Sequence, residues 1–221
     1  MFLQTASVAE RVNHFRKERL QIIAANAGPV RLADQEDKII IHLISLTEQQ
    51  PIDLSVAMKQ RELFSPISDT SGIPRFNLDG LCSFRSGTDC HGYTQLFREG
   101  HIEATRVGLV RNYQRAPAIS AEEIRDLLLK HVPKFINGLR VIGINPPIYI
   151  GVSLQGTYGA KVICTNDTFF ITDSVSPLAV SEVLLPICIL EDFGTDESYR
   201  GTLKPALDAL WNAGGFSSYP G

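Results

Sequence analysis

Three short runs of alternating apolar and polar residues between residues 75 and 110 constrain this chain more than any other stretch. They read RFNLDGLCSF, YTQLF and HIEATRVGLV. Alternation with a period of two is typical of half-buried strands, and Asp79 and Gly80 interrupt the first run where a bulge or a tight bend would fit. Gly100 separates the last two runs, as in a hairpin whose turn needs positive φ. We therefore predict three consecutive antiparallel strands, a meander at the centre of a sheet.

A near-continuous apolar run at residues 38–46, KIIIHLISL, is typical of a central strand buried on both faces. His42 lies inside this run, and we expect it to be a hydrogen-bonded core residue rather than a ligand or a base. The other predicted strands are a hairpin at 148–154 and 159–164 and a final strand at 183–190. Pro186 in the final strand favours an edge position or a bulge.

Two capping boxes predict the starts of helices, because a Ser followed three residues later by a Glu satisfies two free amides of the first turn. They are Ser7 with Glu10 and Ser120 with Glu123. The apolar face predicted for the first helix comprises Val8, Val12, Phe15, Ile22 and Ile23. The second helix contains Pro133, which should kink or divide it. A short helix is predicted at 53–62, a loop at 111–119 and a last helix at 201–213.

Hairpins predominate over β-α-β alternation in this order of elements. Short connections of that kind join antiparallel strands. We therefore predict an α+β fold, a mainly antiparallel sheet of hairpins and a meander with three or four helices packed on it.

Composition narrows the classes of function. A hydrophobic content of 44% with 20% charged residues is ordinary for a soluble globular protein. The net charge of −3 argues against a broad nucleic-acid footprint, which needs a basic face. The four cysteines form no C-x-x-C pair, so we expect reduced, mostly buried thiols in a cytoplasmic protein rather than a zinc site. No apolar run approaches the roughly 20 residues of a membrane span, and no motif implies a metal or a cofactor.

The densest cluster of chemically capable residues lies in and beside the loop that follows the first run. It comprises Asp79, Asp89, Cys90, His91, Glu99, His101 and Glu103. A Cys-His pair near carboxylates can form a nucleophile with its base, or a metal site. However, Cys90 and His91 are sequence neighbours, whose side chains point to opposite faces in a strand. We interpret the cluster as a polar loop beside a solvated sheet face, with a hydrolase-like enzyme that uses Asp89, Cys90 and His91 as the alternative.

Basic residues concentrate on the first helix. Arg16, Lys17 and Arg19 lie close together there, with Arg11 one turn earlier, and Arg75 begins the central stretch. These five residues are the candidates for contact with nucleic-acid phosphates. A run of charges on a helix is usually a solvated face, and we favour that interpretation, or a surface that packs on a preceding domain.

Two phrases of the central stretch, RFNLDG and YTQLFREGHIEA, resemble a region of bacterial proteins that carry a Schlafen-like, AlbA-type domain at their N-terminus. That domain is predicted to bind DNA or ATP. The phrase FRKERLQIIAANAGPVRL is similar to the helix that begins the C-terminal domain of those proteins. The phrases LLPICILED and LKPALDALWNAGG are similar to its last strand and helix.

The resemblance implies a non-enzymatic accessory domain that senses a ligand or mediates assembly in a transcriptional regulator, with nucleic acid bound only by an upstream AlbA-type module. We accordingly expect one domain over 1–221, with a linking N-terminal helix at 1–28, a core at 29–215 and a loose tail at 216–221. Without the upstream module the apolar face of the first helix would be exposed, so we expect a homodimer through that helix. The alternatives are direct nucleic-acid binding or the hydrolase-like enzyme.

Overall fold

The computed structural model describes residues 7–33, 36–46, 52–68, 72–85, 90–113, 116–164 and 175–221. The helices within these ranges are Val8–Ala24 (α1), Leu54–Lys59 (α2), Ala121–Val141 (α3) and Asp196–Ala213 (α4), with a 3₁₀ turn at Arg61–Phe64. The strands are Lys38–Ser45 (β1), Ile73–Phe76 (β2), Gly80–Phe84 (β3), Gly92–Phe97 (β4), Ile102–Val107 (β5), Arg111–Tyr113 (β6), Ala116–Ser120 (β7), Ile148–Gln155 (β8), Lys161–Ile163 (β9), Glu182–Leu184 (β10) and Cys188–Leu190 (β11). The predicted α+β class is confirmed.

The main sheet is antiparallel throughout its described pairs and runs in the order β10-β8-β1-β5-β4-β3-β2, with β11 also paired to β8. Strand β1 is buried along its whole length between β5 and β8. The prediction of a central strand is therefore confirmed for this apolar run. The meander of β3, β4 and β5 is also present, and its last strand, β5, is the middle strand of this order, so the predicted central place is confirmed for β5.

The run RFNLDGLCSF forms two strands rather than one. Strands β2 and β3 pair with each other, so the chain reverses between Phe76 and Gly80. The Asn77 side chain holds this reversal, since its Oδ1 accepts a hydrogen bond from the Gly80 amide at 2.7 Å and its Nδ2 donates to Gln95 Oε1 at 2.7 Å. Asp79 and Gly80 thus mark a tight bend and not a bulge.

A second, three-stranded sheet corrects two further predictions. Residues 111–119, predicted as a loop, contribute β6 and most of β7, and β9 pairs in parallel with β7. The predicted hairpin of β8 with β9 is therefore wrong. The chain leaves the main sheet after β8 because Thr157 and Gly159 donate backbone hydrogen bonds to Ser181 and Leu178 instead. The predicted final strand is likewise divided into β10 and β11, with Pro186 between them.

Helices cover both faces of the main sheet. Ile39 and Ile41 of β1 face a large core shared with α3 and α4, in which Phe135 and Leu207 are fully buried. Ile40 faces the other way, into a smaller core beneath α1. Alternate residues of the same strand therefore meet different helices, as the pleat of a strand requires.

Helices α1 and α3 begin at the predicted N-caps, but only Ser7 forms the full capping box, because the Glu123 carboxylate binds Arg106 and Arg111 instead of the Ser120 amide. The Ser7 and Ser120 side chains accept hydrogen bonds from the amides of Glu10 and Glu123, so both predicted N-caps are confirmed. Helix α3 runs unbroken through Pro133, and the predicted division there is wrong. Buried side chains on both sides of Pro133 hold this helix against the core.

Helix α1 buries part of the predicted face, including Val12 and Ile23, together with Arg16 and Leu20, which were not predicted there. Its buried residues are Val12, Arg16, Leu20 and Ile23, whereas Val8 is exposed. The stripe packs on the chain's own sheet, which removes the reason for expecting a dimer through α1, and the dimer itself stays a prediction. The predicted loose tail packs back through Tyr219, which is buried against Trp211 with ring centroids 5.0 Å apart.

None of the described helices combines the length and the apolar character that crossing a bilayer requires.

Candidate functional site

A buried carboxylate lies at the centre of the face that α1 covers. Glu103 on β5 has no exposed side-chain surface, and Arg19 of α1 grips it with two hydrogen bonds, Nε to Oε2 at 2.8 Å and Nη2 to Oε1 at 2.9 Å. The predicted solvated sheet face is therefore wrong at Glu103. A fork-to-fork pair of this kind fixes both the orientation and the charge of the carboxylate.

Two more side chains complete the shell of Glu103. The Tyr93 hydroxyl donates to Oε1 at 2.7 Å, and His42 Nε2 lies 3.2 Å from Oε2. Because an ionised carboxylate only accepts, His42 must carry its proton on Nε2. The prediction that His42 is a hydrogen-bonded core residue is confirmed.

This shell keeps Glu103 ionised and satisfies the hydrogen-bonding capacity of both its oxygens. Burial alone would raise its pKa, but the hydrogen bonds and charges of Arg19 and His42 together outweigh burial and lower the pKa to about 2. Both oxygens already accept two partners each. A carboxylate so satisfied has little basicity left for a substrate, and we assign Glu103 a role in stability.

Arg16 occupies the same face, one turn before Arg19. It is 3% exposed, and its guanidinium donates to Ser153 Oγ at 2.8 Å, to the Leu185 carbonyl at 3.0 Å and to the Val152 carbonyl. Burial lowers its pKa to about 10. The interpretation of the basic cluster as a solvated face is therefore wrong for Arg16.

The other candidates for phosphate contact differ in exposure. Arg11 and Lys17 are exposed on the outer side of α1, and Arg75 is exposed with its guanidinium 5.4 Å from the centre of the Phe84 ring. Arg19, by contrast, has 15% of its side chain exposed and is committed to Glu103. Only three of the five basic residues therefore present a free charge to solvent, and they are spread over two elements.

The polar loop does not assemble a reactive group among its described residues. Asp89 lies outside the described residues, Asp79 and His91 are exposed, and Cys90 is buried. The Cys90 thiol donates to the Gly92 carbonyl at 3.4 Å, and burial raises its pKa. A protonated, buried thiol is a poor nucleophile.

The remaining cysteines behave alike. Cys82, Cys164 and Cys188 are free and buried, as the composition predicted, and burial raises the pKa of Cys82 and Cys164 to about 12. Within the described ranges, no group of three or more His, Cys, Asp or Glu residues could hold a metal ion.

An open cleft of about 410 Å³ lies between α3 and the start of α4. Helix α3 contributes Lys134, Asn137 and Arg140 to its wall, and Phe193 and Tyr199 line the opposite side. Lys134 donates to Ser65 Oγ at 2.6 Å, and the Arg140 guanidinium lies 5.5 Å from the centre of the Phe193 ring. The hydroxyl and the aromatic ring that these two side chains contact are uncharged, so the cleft presents two positive charges.

A second cleft, of about 390 Å³, lies beside the start of α3. Three of its charged lining residues are already paired, because Glu123 Oε1 accepts from Arg106 and, at 2.8 Å, from Arg111, and Asp126 accepts from Arg125. The first cleft is therefore the better candidate for a ligand.

Neither the buried shell of Glu103 nor the first cleft was predicted from the sequence. Lys134 and Asn137 are three residues apart on α3, which indicates a shared helix face. Phe193 and Tyr199 come from a later part of the chain, and no local pattern connects them with α3.

Comparison with protein-family models, with curated proteins and with solved structures finds no match to this chain, so the resemblance to AlbA-associated domains stays an expectation.

Proposed function

We propose that this chain is a non-enzymatic accessory domain that senses a ligand or mediates assembly, in a transcriptional regulator whose AlbA-type module contacts nucleic acid. The observation that carries the proposal is the state of Glu103, which is fully buried and accepts from Arg19, His42 and Tyr93. Glu103 and its hydrogen-bond partners beneath α1 therefore stabilise the fold instead of acting on a substrate. The open clefts are the places where a ligand can bind.

The enzyme alternative has less support. Nucleophilic catalysis needs a thiol or hydroxyl within hydrogen-bond reach of a base. Among the described residues, the Cys90 thiol bonds to a backbone carbonyl, and His91 is exposed. Direct nucleic-acid binding also has less support, because Arg16 and Arg19 are turned into the fold.

Turnover assays on the purified chain test the proposal. The wild-type chain should hydrolyse chromogenic phosphate esters, carboxylic esters and glycosides no faster than the variants Cys90→Ser and His91→Gln do. Both variants leave the charge of Glu103 and its shell untouched. Hydrolysis that saturates with substrate and falls in either variant would replace the accessory function by the hydrolase.

The regulator context has a separate test. An in-frame coding region for an AlbA-type domain, joined to this one in the genome, would support the context. A frame without such a domain would leave a stand-alone binding module.

A further inference from the structure

We propose that the cleft between α3 and the start of α4 binds a small phosphorylated molecule, with Lys134, Asn137 and Arg140 as the contacts to its phosphate. This inference deepens the proposed function, because it rests on the chain being a binding module and names the class of ligand. The oxygens of a phosphate dianion only accept hydrogen bonds. The ammonium group of Lys134, the side-chain amide of Asn137 and the guanidinium group of Arg140 can all donate them.

The charge of the cleft is the first argument. Lys134 and Arg140 form no salt bridge with a carboxylate in the part of the chain that the structure describes, and their partners are a hydroxyl and an aromatic ring. Elsewhere on α3, Arg125 is paired with Asp126 at 2.8 Å. Two cations on one wall of a cleft, neither within salt-bridge distance of a described carboxylate, favour an anionic occupant in a chain of net charge −3.

The surroundings of Lys134 support this argument. Partial burial and the neighbouring charge of Lys130 both lower the pKa of Lys134, while the field of Glu62 opposes them. A phosphate dianion at the cleft would stabilise the charged form of Lys134 and relieve its repulsion with Lys130.

Helix geometry is the second argument. Lys134, Asn137 and Arg140 succeed one another at intervals of three, so they lie within about a third of a turn on one side of α3. Their side chains all line the same cleft. A lysine supplies a compact charge and an arginine a planar fork, a combination that suits the several oxygens of one phosphate.

The opposite wall determines what else the ligand can carry. The amides of Gly194 and Thr195 already donate to Asp192 Oδ1 and Ser198 Oγ, each at 2.9 Å, so the phosphate contacts come from the α3 side chains. Phe193 offers an aromatic ring at this wall. The volume of about 410 Å³ falls in the range of small-molecule sites, and a mononucleotide fits both the size and the ring.

Calorimetric titration of the full chain with AMP, inorganic phosphate and adenosine tests the proposal. We expect saturable binding of AMP, weaker binding of phosphate and none of adenosine. Arg140→Gln and Lys134→Gln should each weaken AMP binding about tenfold or more, which corresponds to the loss of one charge-assisted contact. Arg125→Gln removes the same charge from the same helix outside the cleft and should bind AMP as the wild type does. Circular dichroism shows whether each variant is folded.

Three results would overturn the proposal. They are no binding of AMP or phosphate up to about 10 mM, adenosine binding equal to that of AMP, and equal weakening in Arg125→Gln. None of these outcomes touches the accessory function. Conversion of AMP to a product would instead overturn the accessory function and leave the phosphate site in place.

Discussion

Arg19 on the first helix and Glu103 on the central part of the sheet are joined by two parallel hydrogen bonds of 2.8 and 2.9 Å. Glu103 has no exposed side-chain surface, and Arg19 has 15%. The pair therefore fastens α1 to β5 through a carboxylate that is fully shielded from solvent. Removing one partner leaves the other charge buried without compensation, and breaking such a pair is far more costly than losing a surface one.

Glu103→Gln should lower the free energy of unfolding by about 3 kcal/mol or more, because Arg19 then keeps its charge without a carboxylate. Urea denaturation followed by circular dichroism measures the change. Glu99→Gln, at an exposed position nearby, is the matched control and should stay within about 0.5 kcal/mol of the wild type. A Glu103→Gln variant as stable as that control would contradict the buried pair.

His101 should make the free energy of unfolding depend on pH, in a range above the one in which Glu103 acts. Burial lowers its pKa to about 4, with Glu99 opposing and His42 and Arg11 adding to the effect. In the unfolded chain it titrates near 6.5. The unfolded state therefore takes up a proton first, and the stabilising contribution, complete above pH 6.5, is lost as the pH falls towards 4.

His101→Gln should accordingly flatten the stability curve between pH 6.5 and about 4, relative to the wild type. Glu103, whose pKa is lowered to about 2, acts below that window, from its unfolded value near 4.3 downwards. Urea midpoints measured at intervals of half a pH unit separate the two. Parallel wild-type and variant curves above pH 4 would show that His101 titrates normally.

Local chemistry made the positions of several elements predictable. The apolar run KIIIHLIS has strand length and no polar alternation, so a central strand was the expected outcome. Ser7 and Ser120 each precede a Glu at capping-box spacing, and both begin helices. These signals depend only on residues close together in the sequence, so they can be recognised without knowing the tertiary structure.

The packing of α1 on the sheet could not be predicted from local patterns of this kind. Glu103 belongs to an alternating run, and its partner Arg19 lies 84 residues earlier, so no local pattern reports that α1 covers that face. One signal was available, because Arg16 and Leu20 recur at helical spacing from Val12, which places an arginine within an apolar stripe. The same limit applied to the first cleft, whose walls come from distant segments.

Gly100→Val should destabilise the fold by about 1 kcal/mol or more. Gly100 has a φ of +81°, as predicted for the turn between β4 and β5, and a Cβ added there would lie 2.4 Å from Ile144 Cδ1. Gly159→Val is the control, since Gly159 has a φ of +79° but no atom within 4 Å of an added Cβ. Thermal unfolding should show the larger loss at Gly100, and a melting temperature unchanged by Gly100→Val would disprove the turn.

Arg16→Lys should cost about 1–3 kcal/mol of unfolding free energy, because one ammonium group cannot reach all three acceptors and leaves a buried one unsatisfied. The acceptors are Ser153 Oγ and the carbonyls of Val152 and Leu185. Lys17→Gln, on the exposed side of the same helix, should be nearly neutral. Equal stabilities of the two variants in urea would mean that Arg16 does not hold α1 to β8.

The affinity of the isolated chain for duplex DNA tests the accessory function most directly. Two of the five basic candidates, Arg16 and Arg19, are committed inside the fold, and the net charge is −3. We therefore predict a Kd in the non-specific range of about 10⁻⁴ to 10⁻⁶ M at physiological salt, with no preference among sequences. Fluorescence anisotropy with labelled duplexes measures it. Sub-micromolar, sequence-selective binding by this chain alone would contradict the account and make the chain itself a nucleic-acid-binding protein.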